Sequence, residues 1–184
     1  YTTLFRSLTD VGFLFYGCLS LTSINLVNFK TMNIINMNSM FHGCSSLKLL
    51  DLNDFNTENV ENMNQMFYNC YQLTSLNLSN FITPKLKFMK AMFYGCSSLS
   101  YLNIENLQTS LVNDMEYSFT NCKSLITLNL NNFDTSKVTN MKIMFCACYN
   151  IETLNIINFK TELVENMEWM FYECYKLKTY VFRL

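Results

Sequence analysis

Residues 125–148 read LITLNLNNFDTSKVTNMKIMFCAC, and the stretch changes its periodicity halfway along. In Leu128-Asn129-Leu130 apolar and polar side chains alternate, which predicts a short strand with one buried face. Further on, Val138, Met141, Phe145 and Cys148 follow one another at steps of three, four and three residues, the spacing of one helical face.

The same stretch recurs along the chain. Cys18, Cys44, Cys70, Cys96, Cys122, Cys148 and Cys174 are spaced 26 residues apart, and only Cys146 is out of register. Three residues after each cysteine stands Leu21, Leu47, Leu73, Leu99, Leu125, Ile151 or Leu177. Rows headed by Ile24, Leu26 and Phe29 keep the same phase without an insertion. A fixed period in the range of roughly 20–50 residues marks a solenoid in which each repeat is one structural unit. The pattern therefore predicts an α/β solenoid: about seven 26-residue coils, one parallel β-sheet, and short helices or turns opposite it.

Two rows offer helix starts. Thr31, Thr57, Thr83, Thr109, Thr135 and Thr161 form one, and Asn36, Asn62, Asn140 and Asn166 the other; both residue types cap backbone N–H groups. Either row can open a helix, and a turn between them fits equally well. Asn25, Asp51, Asn77, Asn103, Asn129 and Asn155 fall on the outer strand face. They read as amides bonded to one another along the coil axis rather than as a recognition stripe. A further row runs from Asn28 through Asp54, Asn80, Asn106 and Asn132 to Asn158, where side chains can bond local backbone.

One coil cannot enclose its own Leu, Met, Phe and Cys side chains, so its neighbours must cover them. Strands of successive coils would lie roughly 4.8 Å apart. Neither end of the chain carries a polar capping unit, so residues 1–184 read as a single solenoid that is a section of a longer protein, with Phe182 and Leu184 awaiting a cover.

Composition narrows the function classes. The net charge is −1, with 15% charged and 50% hydrophobic residues, which argues against both disorder and a nucleic-acid binder with a broad basic surface. No apolar run approaches the roughly 18–20 residues of a membrane span. The regular cysteines read as reduced, buried thiols, since parallel side chains make poor disulfide geometry and Cys146-Ala147-Cys148 lacks a second ligand pair for zinc. The Met-x-x-Met pairs, such as Met141 and Met144, read as core packing rather than Cu(I) ligands. His42 shares its repeat position with Tyr16, Tyr68, Tyr94 and Tyr172 and reads as a surface substitution. No catalytic constellation and no cofactor are expected. Asn77-Leu78-Ser79 is a formal glycosylation sequon within a strand.

The segments Leu125 to Met141 and Met144-Phe145 resemble the 26-residue bacterial surface-protein repeat of the BspA-like leucine-rich-repeat group, from about Leu8 to Phe182. Ser118, Phe88 and Leu107 depart from its Met, Asn and Phe positions. The resemblance implies a leucine-rich-repeat solenoid displayed on the cell surface for adhesion or partner recognition, without a shared catalytic set. An intracellular location stays open.

Function then falls to positions that differ between coils. On the strand face these include Lys48, Leu49, Asp51, Tyr101, Glu105, Ile126 and Glu152. Opposite runs an aromatic series: Tyr68, Tyr71, Tyr94, Tyr117, Tyr149, Trp169, Tyr172 and Tyr175. Tyr and Trp make strong interface anchors. The expected partner is a protein or cell-surface macromolecule. The alternative is a structural assembly subunit of a filament, envelope or large complex, with self-assembly or packing against flanking segments.

Overall fold

The computed structural model of the chain describes residues 7–181; Phe182 and Leu184, expected to need a cover, lie outside them. The chain winds through successive coils in which residue i lies beside residue i+26. Strands β1 (Ser75–Asn77), β2 (Tyr101–Asn103), β3 (Thr127–Asn129), β4 (Thr153–Asn155) and β5 (Thr179–Val181) pair in parallel and in that register, as in Leu128 opposite Leu154. The central leucines of β1 to β4 point inward because a strand alternates its faces. Leu76, Leu128 and Leu154 are buried.

The expected single sheet is divided. β1 pairs with β2, and β3, β4 and β5 form a second sheet. A strand of three residues carries few ladder bonds, so a small offset between coils interrupts it. The break falls between β2, whose Leu102 is only half-buried, and β3.

Of the short helices or turns expected opposite the strands, the described residues form turns, with no helix among them. The reason lies in where the amide N–H groups go. A helix needs each N–H to reach the carbonyl four residues back. Here alternate amides leave the coil: Met37 N–H reaches Asn62 O, Ser39 reaches Asn64 O, Phe41 reaches Met66 O and Gly43 reaches Tyr68 O. The amides between them close tight turns, as Met40 N–H to Met37 O. This zigzag requires two left-handed residues per coil. One series is Phe13, Ser39, Gln65, Ala91, Tyr117, Ile143 and Trp169; the other is Gly17, Gly43, Asn69, Gly95, Asn121, Ala147 and Glu173. The helical spacing of Val, Met, Phe and Cys survives because the turns still bury that row.

Both proposed capping rows do other work. Asn36, Asn62 and Asn140 form a second column of parallel bridges, such as Asn36 beside Asn62, and their side-chain oxygens accept the N–H two residues ahead. The threonines bond between coils: Thr83 Oγ1 donates to Gln108 O at 3.1 Å and accepts its N–H at 2.8 Å. The strand-face row is not a ladder of amides. Asn77 Oδ1 accepts the N–H of Ser79, and Asp51, Asn103 and Asn129 make the same local bond. The row following it is the one that spans coils, with Asn132 Nδ2 donating to Ile104 O and Leu107 O of the coil before.

The core is one continuous column. Phe41, Phe67, Phe93, Phe119 and Phe145 stack ring on ring, with centroids 5.4 to 5.9 Å apart. Met37, Met63, Met89, Met115 and Met141 are fully buried beside them, as core packing requires.

Candidate functional site

Because the repeated polar positions are committed to holding coils together, the positions that vary define what the surface offers. On the strand face, Leu49 is 68% and Tyr101 53% exposed. Their repeat position is otherwise Ser23, Ser75, Thr127, Thr153 or Thr179. Leu49 and Asp51 line a shallow depression with Ser75 and Asn77. Asp51 also borders a second depression with Asp54, Val27 and Ile24. Glu105 lies two coils further on, next to Asn103. Lys48 stands at the edge of the same face, exposed. Val27, 67% exposed, belongs to this surface and was not singled out by sequence. Its place in the row of Asn53, Ser79 and Glu105 is the signal that could have found it.

The aromatic series divides. Tyr16, His42, Tyr68 and Tyr94 form a stack with centroids 4.4 to 4.5 Å apart, closed at one end by the edge of Tyr117. Ring faces in this column are occupied by one another, so mainly edges reach solvent. His42 is thus a member of the stack, not an isolated surface replacement. Burial lowers its pKa, opposed by a hydrogen bond with Gln65. Burial and the adjacent Tyr94 phenol raise Tyr68. Tyr71 is exposed near this stack. A separate group joins Tyr149, stacked on Tyr175 at 5.4 Å, to Trp169 and Tyr172, 5.8 Å apart. Lys123 Nζ lies 5.2 Å from the Tyr149 ring centre. Desolvation and the Glu173 carboxylate hold the Tyr149 and Tyr175 phenols above their usual range. Two turn-side clusters therefore replace the single aromatic series, and neither joins the strand-face group.

The thiols are poor nucleophiles where they are buried. Each Sγ from Cys44 to Cys174 in the regular row donates to a phenylalanine carbonyl of the preceding coil, as Cys70 to Phe41 O at 3.2 Å. Burial pushes Cys96 up to about 12 and Cys44 to about 11. Among the described residues, no group of three or more His, Cys, Asp or Glu side chains is placed to hold a metal ion. No helix among them is long and apolar enough to cross a membrane.

Parallel coils, an inward leucine row and a coil-spanning asparagine row define a leucine-rich-repeat-like solenoid. The fold matches the crystal structure of the T. pallidum leucine-rich repeat protein with a TM-score of 0.60 and 21% identity, over 93% of this chain and 72% of that one. The chain belongs to the family described as Mycoplasma protein of unknown function, DUF285, whose model matches residues 5–102 and again 87–182. No curated protein matches it. Stacked repeats of this kind present extended surfaces along the array.

Proposed function

We propose that the chain is a non-enzymatic recognition or adhesion module of the BspA-like kind, displayed on a cell surface, that binds a protein or other macromolecular partner through its strand face. One observation carries the reading. Leu49 and Tyr101 stand exposed at a position that other coils fill with Ser or Thr. Packing does not require either side chain there, and apolar or aromatic groups raised on a rigid sheet suit an interface core. The strand face is favoured over the Tyr16 to Tyr94 column because the rings of that column spend their faces on one another. Cell-surface display rests on the resemblance of the repeat.

The test compares the chain with its Leu49→Ser, Tyr101→Ser double variant for attachment of coated beads to surfaces bearing defined extracellular-matrix proteins. Circular dichroism should be unchanged, because both positions are exposed, while attachment should fall several-fold. Attachment indifferent to both substitutions defeats the strand-face reading. Concentration-dependent polymerisation in sedimentation would favour an assembly subunit instead.

A further inference from the structure

Two columns of backbone pairing tie each coil to the next. One is the strands; the other is the bridges that run from Asp10 through Asn36 and Asn62 to Phe88, and from Asp114 through Asn140 to Asn166. Where the first coils have no strand, their bridges run unbroken. Among the described residues, one boundary lacks both: β2 is not paired with β3, and Phe88 is not bridged to Asp114. Met63 N–H reaches Phe88 O and Met115 N–H reaches Asn140 O, but no such bond joins Met89 to Asp114 among the described residues. The side-chain rows change at the same place. Phe88 breaks the asparagine column, and Leu107 interrupts the ring row of Phe55 and Phe81. Ser118 stands in the row of Met92 and Met144, and Thr120 ends the stack of Tyr68 on Tyr94.

We infer that this boundary is a joint dividing the array into two cooperative halves, residues 7–112 and 113–181. The backbone bonds that cross it are confined to one turn segment, where Ala91, Phe93 and Gly95 N–H reach Glu116, Ser118 and Thr120 O at 2.8 to 2.9 Å. There the Phe93 ring also stacks on Phe119. The side chains of Thr109 and Asn132 span the boundary as single ties. A boundary held at one segment, with both pairing columns open, is a pivot. Each coil of an array is stabilised by its neighbours, so cooperativity is lost first where the interface between two coils is weakest. Leu49, Val27 and Tyr101 all belong to the first half and the Trp169 cluster to the second. The joint therefore lets the two surfaces turn relative to each other.

Pulsed thiol labelling of the full chain across a urea series, read cysteine by cysteine in a mass spectrometer, tests this. The buried Cys44, Cys70 and Cys96 lie in the first half, and Cys122 and Cys148 in the second. Each group should become reactive together, at midpoints about 1 M urea apart, with Trp169 fluorescence following the second group. Lys90 and Lys142 occupy one row and supply the variants. Lys90 reaches Glu116 across the joint at 2.5 Å, whereas Lys142 reaches Glu168 within the second half at 2.6 Å. Lys90→Met should lower the earlier midpoint by roughly 0.3 M and leave the later one in place. Lys142→Met should move only the midpoint of Cys122 and Cys148. A single midpoint shared by all five thiols would overturn the joint. So would a step at any other boundary, or a gradual drift from Cys44 to Cys148, which is fraying from an end. Equal shifts of both midpoints in Lys90→Met would overturn it too.

Discussion

The hydroxyl of Thr135 donates to the carbonyl oxygen of Lys160 at 2.9 Å and accepts the amide N–H of the same residue at 2.7 Å. One small side chain thereby satisfies both backbone groups of a residue in the next coil. Thr135 is itself buried. Replacing it with Val keeps the shape and removes both bonds, leaving a donor and an acceptor without partners. Thr135→Val should therefore cost about 1–3 kcal/mol in urea unfolding, with Thr135→Ser much milder. An unchanged midpoint for the Val variant would show that water replaces the rung without penalty.

The phenylalanine column predicts a graded series. Phe93 lies between Phe67 at 5.6 Å and Phe119 at 5.4 Å, fully buried. Phe93→Ala removes a large side chain from a site whose neighbours are fixed by their own coils, so the cavity should collapse poorly. A loss of about 3–5 kcal/mol is expected. Phe171→Ala, at a half-buried member of the column, should cost clearly less. Chemical denaturation with both variants reads the difference, and equal losses would mean that the column is not the shared support it is described as.

These side chains also show what the sequence made legible. The columns of Leu, Phe, Met and Cys follow directly from a 26-residue period, because identical neighbours must bury identical rows. Helices stayed open beside turns because Val138, Met141, Phe145 and Cys148 keep helical spacing. That spacing reports which residues are buried, not where their amides bond. Phe145 N–H reaches Met170 O in the next coil, a partner no local pattern reveals. Thr135 likewise looks like a cap in one coil and acts as a rung between two. At the candidate site, Leu49 and Tyr101 were found because they break their row, whereas the coupling of His42 to Tyr16 and Tyr68 appears only when the coils are superposed.

The His42 ring supplies a pH dependence. Burial between Tyr16 and Tyr68 disfavours the imidazolium, so its folded-state pKa lies below the ordinary 6.5. As pH falls through 6.5, the unfolded chain takes up this proton first, which favours unfolding. The contribution to stability is complete above 6.5, declines as pH drops toward the lowered folded value, and is constant below it. Depressed carboxylates such as Asp134 act in a separate, more acidic window. Urea midpoints measured from about pH 7.5 down to about pH 5.5 should fall for the native chain. His42→Tyr, which continues the tyrosine column, should flatten that slope, and a slope unaltered by the substitution would assign the dependence to another group.

The thiols should react in an order set by burial. Cys18 is exposed and Cys146 and Cys174 are partly so, whereas Cys44, Cys70, Cys96, Cys122 and Cys148 are buried. Only the thiolate attacks a disulfide reagent, and desolvation suppresses it at the buried positions, with Cys96 pushed up to about 12. In native protein near pH 8, a chromogenic thiol reagent should label Cys18 fast, and Cys18→Ser should abolish that phase. Cys146 and Cys174 should follow slowly; burial also raises both, Cys174 to about 11. The five buried thiols should appear only as the coils open, at a rate that tracks unfolding rather than reagent concentration. Denaturant should then release all eight groups. Fewer than eight would reveal cross-linking between coils, and rapid labelling of Cys96 in native protein would mean that the array opens far more readily than its continuous core implies.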